Sequence, residues 1–589
     1  MSTTRSLVTA LVGVYSLVLS YSGAWAWQAN INSGWASSVV VDASGNVIAA
    51  GSIENNGTGS AFTVIKFNGV TGAETWSRII NGTIAGSDNL ANAITLDGAG
   101  NVVVAGVTNQ IPGEEGGDSS FGDFTVIKFS GADGTELWRR VIDGSSTNSF
   151  GSANAVAVDR AGNVVAAGRS RSSLGDFTVV KYNGATGVEL WRQVTTGSVF
   201  QGDCSDSANA VTVDIEGNVV AGGFLCNLAF PGRLEFVSTV IKFNGVTGAE
   251  IWRQANNSAF FNAIAIDTAG NVVSAGFVSD RGTFTSAFST TKFNGATGAE
   301  IWRQVVNGTA NAAGSNNIAR ALAIDAQGNV VAAGSTTNNS TGLDFTVIKF
   351  NGANGAELWR QVINDANANV LNRPEARALA IDTQGNVVAA GSTTNSGTVS
   401  DFTVIKFDGA TGTELWRQVI NAGSANAVAV DARGNVVAAG STSSNFTVVK
   451  FNSSSTTVDF DGDGMSDIAV YRDGIWYVIR SSNGAQTAVG WGGGPQDIPV
   501  PGDFDGDGKT DQAVYRDGVW FILRSSDGGG MGITWGGAQH DIPVPGDFDG
   551  DGKTDQAVYR DGVWFILRSS DGGGMGITWG GAPQDIPLK

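Results

Sequence analysis

An internal repeat between residues 27 and 451 constrains this chain more than any other feature of its sequence. Each copy carries four short apolar segments, which read A[VI]A[VI]D, NVVAAG, FTVIKF and ELWRQV. The turn D-x-x-G-N joins the first two segments, and the turn N-G-x-T-G-x-E joins the last two. Strand-forming residues that alternate with Gly, Asn and Asp turns predict an all-β chain of hairpins.

The four segments do not occur in eight complete copies. The Asp of the first turn occurs eight times, at Asp42, Asp97, Asp159, Asp214, Asp267, Asp325, Asp382 and Asp431. The third segment also occurs eight times, beginning at Phe62, Phe124, Phe177, Ser238, Phe288, Phe345, Phe402 and Phe446. The tryptophan segment begins at Trp76, Trp138, Trp191, Trp252, Trp302, Trp359 and Trp416, and an isolated copy, WQANI, begins at Trp27. The eighth copy ends at FTVVKFN and lacks its own fourth segment.

The two truncations are complementary, because the N-terminal WQANI segment supplies the strand that the eighth copy lacks. We therefore predict an eight-bladed β-propeller over residues 27–451, built from four-stranded antiparallel blades and closed by the N-terminal strand. Radial repetition of this kind protects the edges of the sheets. An open solenoid would explain the repeats equally well, but it would not explain the complementary truncations.

The repeat resembles known families. FNGATGAEIWRQ, from Phe293 to Gln304, is similar to the tryptophan-docking motif of pyrroloquinoline-quinone-type propellers. DFTVIKFDGATG at Asp401–Gly412, together with AVAVDARGNVVAAGST at Ala427–Thr442, resembles the β-propeller repeat of secreted and surface proteins of bacteria. The resemblance implies that each docking tryptophan packs between two adjacent blades.

Residues present in every copy are expected to serve the fold of the blade. We expect the repeated Asp, the Lys of the third segment and the Glu–Trp–Arg set of the fourth segment to be structural. Charged residues of the third and fourth strands are expected to pair across their hairpin. The two recurring turns are expected on one face of the propeller, and the other connections, which vary, on the opposite face. Ligand binding is expected at these variable connections, unless they are merely tolerated insertions. Examples are Val107–Asp123, Phe224–Val237 and Asn364–Arg377.

The chemistry of these connections is mild. They are rich in Asn, Ser, Thr and Gly, which suit glycans, but the aromatic residues that a sugar site needs are sparse. Phe230, Phe236 and Phe260 are among the few. From the sequence, no blade stands out by a divergent polar cluster.

After a Ser/Thr-rich linker at residues 452–458, three acidic loops begin at intervals of 44 residues, at 459, 503 and 547. They read DFDGDGMSD, DFDGDGKTD and DFDGDGKTD, so carboxylates stand at loop positions one, three, five and nine, with Gly at position six. Carboxylate oxygens at this spacing, with a backbone carbonyl from position seven, suit Ca²⁺. The predicted ligands are Asp459, Asp461, Asp463, Met465 and Asp467, then Asp503, Asp505, Asp507, Lys509 and Asp511, then Asp547, Asp549, Asp551, Lys553 and Asp555.

These loops are not EF-hands, because Val470, Val514 and Val558 occupy position twelve and the surrounding sequence is strand-like. They resemble the calcium loops of FG-GAP and VCBS-type repeats, and this resemblance covers residues 459–589. We expect about three structural calcium ions. The alternative is a set of Asp/Gly turns without metal, in which the crowded carboxylates would repel one another. Whether the three repeats form a partial ring, pack on the propeller or join repeats of another chain is open.

The first 26 residues are predicted to be a secretory signal peptide. Arg5 precedes a mostly apolar run at 7–20, and Ala24-Trp25-Ala26 fits the small-x-small cleavage rule. A membrane anchor is the alternative, although the run is shorter than the ~20 residues of a spanning helix. Cys204 and Cys226 lie in one repeat, and in an oxidising compartment they form a disulfide or remain two free thiols.

The formal charge of −19 argues against nucleic acid and anionic membrane surfaces as partners. The single histidine, His540, corresponds to Gln496 and Gln584 in the sister repeats, which argues against a His-based catalytic triad or metal site. We therefore expect an exported, non-enzymatic binding protein with an extracellular protein or glycan ligand, in the extracellular space, on the cell surface or in the periplasm. The alternatives are a periplasmic quinoprotein-type oxidoreductase, with a funnel lined by Asp, Asn and Arg, and a purely structural matrix component.

Overall fold

The computed structural model describes residues 25–31, 33–54, 59–111, 121–142, 151–170, 175–198, 206–229, 233–257, 259–280, 285–310, 315–339, 341–363, 374–394, 400–451, 458–462, 466–481, 483–549, 551, 553–581, 585 and 587. Residues 1–24 of the predicted signal peptide and residues 452–457 of the predicted linker lie outside this part of the chain. Every regular element within it is a β-strand, so the all-β prediction is confirmed. No helix among these residues is long and apolar enough to cross a membrane.

Strands β1–β32 form eight four-stranded antiparallel sheets, which we number 1 to 8 in the order of their first strands. The first strands are β2 Gly34–Val41, β6 Asp88–Leu96, β10 Ser152–Val158, β14 Ser207–Val213, β18 Ala259–Ile266, β22 Ile318–Ile324, β26 Glu375–Ile381 and β30 Gly423–Val430. The second strands are β3 Val47–Glu54, β7 Val102–Ile111, β11 Val164–Ser170, β15 Val219–Ala229, β19 Val272–Asp280, β23 Val330–Asn338, β27 Val387–Thr393 and β31 Val436–Thr442. The third strands are β4 Ser60–Phe67, β8 Phe121–Phe129, β12 Asp176–Tyr182, β16 Arg233–Phe243, β20 Thr285–Phe293, β24 Gly342–Phe350, β28 Asp401–Phe407 and β32 Asn445–Phe451. The fourth strands are β5 Glu74–Ile80, β9 Glu136–Ile142, β13 Glu189–Thr195, β17 Glu250–Asn257, β21 Glu300–Val306, β25 Glu357–Ile363, β29 Glu414–Ile420 and, for sheet 8, β1 Trp25–Ile31.

Sheet 8 combines the two ends of the repeat region. Its strand order is β1-β32-β31-β30, whereas each of the other seven sheets uses four consecutive strands. Strand β1 is antiparallel to β32, with Trp27 opposite Lys450 and Ile31 opposite Phe446. It begins at Trp25, two residues before the predicted start. The N-terminal segment therefore occupies the place of the fourth strand that the eighth copy lacks.

The core lies between neighbouring sheets. Every residue of the third strands β4 and β28 is buried. Phe345 of sheet 6 packs in one apolar cluster with Val387 of sheet 7, and Phe446 of sheet 8 packs in another with Val47 of sheet 1. Burial on both faces explains why these strands read as nearly continuous Val, Ile, Ala and Phe. First strands contact the first strands of adjacent sheets, and β2 of sheet 1 contacts β30 of sheet 8 in addition to β6 of sheet 2.

A repeated clamp joins each sheet to the next. In sheet 4, Lys242 Nζ and Trp252 Nε1 both donate hydrogen bonds to the carbonyl of Gly295 in sheet 5, at 2.8 and 3.1 Å. Gly298, in the same turn, has a φ of +74°, and a Cβ there would lie 2.8 Å from Cδ2 of the Trp252 indole. Glycine thus supplies both the positive φ and the space for the ring. This is the packing between blades that the tryptophan-docking resemblance implies.

The same clamp recurs at other sheet junctions. The carbonyls that receive both the Lys and the Trp of the preceding sheet are those of Gly131, Gly184, Gly245, Gly295, Gly352 and Gly409. The carbonyl of Gly69 in sheet 1 receives Trp27 and Lys450 of sheet 8 at 3.1 and 3.0 Å. Sheets 8 and 1 are therefore joined in the same way as sheets that are consecutive in sequence.

The charged residues of the repeat pair differently from our expectation. The Lys of the third strand does not pair with the Glu of the fourth strand but with the Asp of the first turn, as in Lys242–Asp214 at 2.8 Å. The Glu pairs with the Arg three residues later on its own strand, as in Glu300–Arg303. The bulge between the Lys and the following Phe shifts the register of this hairpin, so that Trp252 and not Glu250 lies opposite Lys242.

Burial by itself raises the pKa of Asp214, but hydrogen bonds from Lys242 and Asn218 outweigh it and hold this pKa below its ordinary value. The same balance lowers the pKa of the matching carboxyls Asp42, Asp97, Asp159, Asp267 and Asp325. A folded-state pKa below the unfolded value, about 3.9, gives a stabilisation that is present above that pH. It is lost as the pH falls through the folded-state value.

Replacing Lys242 by Met is expected to lower the free energy of unfolding by about 3–5 kcal/mol, because the Asp214 carboxylate then stays buried without its partner. The Asp214 side chain is only 1% exposed, and that of Lys242 only 9%. Arg303→Gln is the control, since the Glu300–Arg303 pair is exposed and is worth no more than about 1 kcal/mol. Urea unfolding followed by tryptophan fluorescence measures both variants. Equal shifts would contradict a clamp role for Lys242.

The C-terminal region contains three small antiparallel sheets, one for each acidic loop. The first consists of β33 Ile468–Arg472, β34 Ile475–Ile479 and β35 Gln486–Gly490. The second consists of β36 Ile498–Pro499, β37 Gln512–Arg516, β38 Val519–Leu523 and β39 Gly530–Thr534. The third consists of β40 Ile542–Pro543, β41 Gln556–Arg560, β42 Val563–Leu567 and β43 Gly574–Thr578. We call these units C-terminal repeats 1, 2 and 3, each including the acidic loop that precedes its hairpin.

Candidate functional site

Each of the eight first strands contains a β-bulge at the same position. In sheet 7 the register shifts between Ala376 and Ala378, so that Arg377 is the extra residue. A Cβ on Gly391, opposite the bulge, would lie 1.9 Å from the carbonyl oxygen of Glu375, which explains the Gly of the repeated A-A-G sequence. Bulges redirect side chains and are frequent beside functional sites. The eight bulge residues, which we call the belt, are Ser37, Asn92, Asn154, Asn209, Asn262, Arg320, Arg377 and Asn426.

Each asparagine of the belt donates a hydrogen bond to the next sheet. Asn262 Nδ2 of sheet 5 donates to the carbonyl of Ala319 in sheet 6 at 2.8 Å. Asn426 Nδ2 of sheet 8 donates to the carbonyl of Ala36 in sheet 1 at 2.9 Å. Asn92, Asn154 and Asn209 make the same bond to the next sheet. The belt is therefore structural wherever it is Asn.

Sheets 6 and 7 depart from this pattern. Arg320 Nε donates to Glu375 Oε1 at 2.6 Å, and Arg377 Nη1 donates to Ser424 Oγ at 2.6 Å and to Asn426 Oδ1 at 2.9 Å. Arg377 Nε lies 3.6 Å from Glu375 Oε2. The side chains of Arg320 and Arg377 are 41% and 38% exposed, whereas Glu375 is 12% exposed. Two exposed guanidinium groups are thus held side by side over one largely buried carboxylate.

This arginine cluster, Arg320, Glu375 and Arg377, corrects our expectation that no blade carries a divergent polar cluster. A signal for it was present in the sequence, because five of the eight bulge positions are Asn and only two are Arg. Recognising that signal requires knowing that the position is a bulge whose side chain is directed toward the next sheet. Arg377 also lies in a predicted variable connection, 364–377, of which residues 364–373 are outside the described part of the chain.

Four phenylalanines form a second cluster, at the junction of sheets 4 and 5. Phe224 and Phe236 belong to sheet 4, and Phe260 and Phe277 belong to sheet 5. The ring of Phe260 lies 5.5 Å from that of Phe224, 5.2 Å from that of Phe236 and 4.6 Å from that of Phe277. All four are half-buried. Aromatic residues are therefore more concentrated at this face than the sequence suggested.

The phenylalanine cluster and the arginine cluster lie at the same end of the first strands. Phe260 and Glu375 each stand two residues before the bulge residue of their strand. Asn262 of sheet 5 bonds to Ala319, the neighbour of Arg320 in sheet 6. Sheets 4 and 5 thus carry the phenylalanine cluster, which we call the apolar arc. The next two sheets, 6 and 7, carry the arginine cluster, which we call the cationic arc. Residues 112–120 and 230–232 of the other variable connections lie outside the described residues.

The acidic loops of the C-terminal repeats bring carboxylates together. Ligand oxygens within 4.8 Å of one another are offered by three groups, Asp459, Asp461 and Asp467, then Asp503, Asp505 and Asp511, and then Asp547, Asp549 and Asp551. These nine belong to the predicted ligands. Asp463 and Met465 lie outside the described residues.

The remaining predicted ligands hold the loops in shape. Asp507 Oδ1 accepts hydrogen bonds from Ser525 Oγ at 2.8 Å and from the backbone N–H of Lys509 at 2.9 Å. Both oxygens of Asp555 accept backbone N–H groups, those of Phe548 and Ser569, at 2.8 and 2.7 Å. The proposed metal contacts of the Lys509 and Lys553 carbonyls stay predictions.

Electrostatics within the second loop favour a bound cation. Burial, with repulsion from Asp507 and Asp511, raises the pKa of Asp503 to about 6. Burial is also the main cause that raises the pKa of Asp511. Clustered carboxylates of raised pKa fit a hard divalent cation, which replaces the repulsion by coordination. The donor set present therefore fits Ca²⁺.

His540 takes no part in either cluster. It is exposed in a turn with a φ of +76°, and its Nδ1 lies 3.9 Å from Asp561 Oδ1. Cys226 is disulfide-bonded, and the only other cysteine, Cys204, lies outside the described residues.

Antiparallel four-stranded sheets, the recurrent tryptophan clamp and the internal repeat define a β-propeller repeat protein. The chain belongs to the family of the outer membrane protein assembly factor BamB, whose model matches residues 14–239, 176–402 and 237–464 in overlapping stretches. No curated protein matches the chain.

Solved structures similar to this chain include dehydrogenases and other propellers. The quinohemoprotein alcohol dehydrogenase from Comamonas testosteroni is 12% identical, with a TM-score of 0.46, over 74% of this chain and 79% of that one. The Dos1 propeller is 10% identical, with a TM-score of 0.45, over 73% of this chain and 95% of that one. A europium-containing methanol dehydrogenase is 10% identical, with a TM-score of 0.42, over 70% of this chain and 84% of that one.

Proposed function

We propose that this chain is an exported, non-enzymatic binding protein whose propeller captures polypeptide segments that carry acidic and apolar side chains. The observation that carries the proposal is the break in the belt, where Arg320 and Arg377 replace the inter-sheet asparagine beside the phenylalanine cluster. An asparagine at the bulge position is sufficient to hydrogen-bond one sheet to the next. Two exposed guanidinium groups at this position add donors for a ligand carboxylate.

We infer that the eight sheets are the blades of one closed propeller. The support is the pairing of β1 with β32, the contact between β2 and β30, and the clamp on Gly69. The bond from Asn426 to Ala36 continues the belt across the same junction. In a closed ring the belt surrounds the central axis, so the arginine cluster lies at the mouth of the axial channel.

The chemistry of the mouth favours a polypeptide over a glycan. The apolar arc of half-buried phenylalanines suits aliphatic or aromatic side chains, and the adjacent cationic arc suits Asp or Glu. The family name describes a factor for the assembly of outer membrane proteins, which are polypeptides. Export is further supported by the apolar run at 7–20 and by the disulfide at Cys226. The calcium loops would stabilise the exported protein.

Fluorescence anisotropy with labelled peptides tests the proposal. Peptides that combine Glu with Phe or Leu are expected to bind, and the variant Arg320→Gln/Arg377→Gln is expected to bind them about tenfold to a hundredfold more weakly. The reason is the loss of two contacts with partly exposed guanidinium groups, worth about 1 kcal/mol each, since about 1.4 kcal/mol corresponds to a factor of ten in affinity. Binding should weaken with added salt.

A matched control is Arg303→Gln/Arg360→Gln, which removes the same charge from fourth strands in sheets 5 and 6. It should leave peptide affinity unchanged. Equal affinity of both double variants would overturn the proposed site. Binding of acidic oligosaccharides but not of peptides would assign the mouth to a glycan instead.

A quinoprotein-type oxidoreductase is the second candidate, because adjacent sheets bring Arg320, Arg377 and Asn426 together, with Glu375 where that function was expected to use Asp. The guanidinium groups of Arg320 and Arg377 are suited to the carboxylates of pyrroloquinoline quinone. Absorbance and fluorescence titration of the purified protein with that quinone tests this alternative. Tight binding that Arg320→Gln/Arg377→Gln abolishes would favour the oxidoreductase. A purely structural matrix protein would bind neither peptide nor quinone.

A further inference from the structure

Each C-terminal repeat docks on the next through one tryptophan. Trp491 Nε1 of repeat 1 donates to the carbonyl of Phe521 in repeat 2 at 3.0 Å, and Trp535 Nε1 of repeat 2 donates to the carbonyl of Phe565 in repeat 3 at 3.0 Å. A Cβ on Gly530 would lie 2.7 Å from Cη2 of Trp491. The receiving repeat therefore needs a glycine where the indole lies.

Further contacts accompany the tryptophan. The Thr510 N–H donates to the Asp459 carbonyl at 2.6 Å, while the Asp459 N–H donates to Thr510 Oγ1 at 2.8 Å. Arg516 of repeat 2 pairs with Asp497, which follows repeat 1, at 2.8 Å. We call the face of a repeat that carries the tryptophan and the two aspartates, such as Trp491, Asp459 and Asp497, the donor face. The face of the next repeat that carries the Thr, the Arg and the glycine is the acceptor face.

The donor face of repeat 3 is uncovered. Trp579, which corresponds to Trp491 and Trp535, is 79% exposed, whereas both of its counterparts are half-buried. Residues 547–582 are identical to residues 503–538, so this face is chemically the same as one that docks inside the chain. Asp585 stands where Asp497 and Asp541 meet their arginines.

The acceptor face of repeat 1 is uncovered too. Val514 and Val558 are 0% exposed on the acceptor faces of repeats 2 and 3, but their counterpart Val470 is 57% exposed. Ile468, on the same strand, is 69% exposed. Repeat 1 also keeps the groups that the contact uses, since Ser466, Arg472 and Tyr477 stand where Thr510, Arg516 and Phe521 do.

We propose that a second copy of this chain occupies these surfaces, with the donor face of repeat 3 docked on the acceptor face of repeat 1 in the next molecule. The contact continues the interface that already joins repeats 1, 2 and 3, and it brings Asp585 to Arg472. It is heterologous, because two different faces meet, and such contacts build head-to-tail chains or rings.

One residue sets the strength of this contact. Gln486 of repeat 1 replaces the glycine found at Gly530 and Gly574, and its Cβ falls where the incoming indole would lie. Trp579 must tilt to be accommodated, which weakens the association without removing its other contacts. Self-association of the wild-type chain is therefore expected only at high protein concentration.

Sedimentation velocity of the full chain over a series of concentrations, in calcium, tests the proposal. The wild type should self-associate as its concentration rises, and Gln486→Gly should lower the concentration required by about tenfold, because it relieves the overpacking. Trp579→Ala should remain monomeric, also when combined with Gln486→Gly. Trp579 is largely exposed, so its replacement leaves the core of repeat 3 intact.

Val246→Ala is the control for simply removing an exposed apolar side chain, since Val246 is 86% exposed in a turn of the propeller. It should associate as the wild type does. The proposal is overturned if the wild type and Gln486→Gly are both monomeric at the highest concentration reached. It is equally overturned if Trp579→Ala associates as strongly as the wild type.

Discussion

A chain that begins at residue 32 is expected to unfold far more readily than one that begins at Trp27, and to self-associate. Strand β1 provides the fourth strand of sheet 8, and without it the edge of β32 loses its hydrogen-bond partners. Unpaired strand edges promote pairing with other chains. The truncation also removes Trp27 from the carbonyl of Gly69 and from the ring of Phe67, 5.8 Å away.

A point variant separates the clamp from the strand itself. Trp27→Ala is expected to lower the free energy of unfolding by about 3 kcal/mol, near the lower end of the range for a buried tryptophan because this one is half-buried. Gln28→Ala is the matched control, since the exposed Gln28 side chain is bonded only to Asn30 among the described residues. Differential scanning calorimetry of the two variants gives the comparison.

Adding the missing strand back provides a second test. A labelled peptide with the sequence of residues 25–31 should bind the truncated chain and raise its melting temperature, because the peptide binds only the folded form. The same peptide with Ala in place of Trp27 should bind more weakly. A truncated chain that is monomeric and melts at the unchanged temperature would contradict ring closure by β1.

Removal of calcium is expected to destabilise the C-terminal repeats, and calorimetric titration of the chelated protein should find about three ions. At a hundred times its dissociation constant, one ion adds about 2.7 kcal/mol to the stability of the unit it binds. Asp503→Asn should remove one of the three ions. Asp517→Asn makes the same charge change at an exposed hairpin turn with a φ of +49°, which Asn tolerates, and should not alter binding.

The pH dependence follows from the raised pKa of Asp503. Burial, with repulsion from Asp507 and Asp511, raises this pKa to about 6, so the folded, ion-free loop holds a proton more tightly than the unfolded chain does. That stabilisation is present at low pH and is lost as the pH rises through about 6. Calcium competes with the proton and should therefore raise the melting temperature more at pH 7.5 than at pH 5. An equal gain at both pH values would mean that no proton competes with calcium in these loops. No binding would mean that the loops are turns without metal.

Much of the architecture could be predicted from the sequence, because the same four-segment unit is repeated. Eight copies of one Asp and eight of the FTVIKF segment indicated the sheets, and the isolated WQANI segment indicated that the two ends of the repeat region share a sheet. The structure has that pairing. The partner of the repeated Lys was predicted wrongly, because a bulge at the end of the third strand shifts the register and places Trp, not Glu, opposite Lys.

The candidate binding site was less accessible to sequence reasoning. Arg320 and Arg377 stood in the sequence as two departures from Asn, but they are separated by 57 residues along the chain, with Glu375 near only the second. Their meeting depends on the packing of sheet 6 beside sheet 7, and on a bulge that turns each side chain toward the next sheet. The phenylalanine cluster similarly joins two sheets.

The sequence by itself determined the strands, their hairpins and the acidic loops, because these depend on residues a few positions apart and recur in every copy. Tertiary structure decided which sheet neighbours which, which carbonyl receives each clamp, and where the cationic and apolar arcs meet. The physical reason is the distance along the chain over which each kind of interaction acts. Turn chemistry and strand alternation act between neighbours in the chain, whereas the belt, the clamps and the contacts between C-terminal repeats join residues from different repeats that only packing brings within hydrogen-bonding distance.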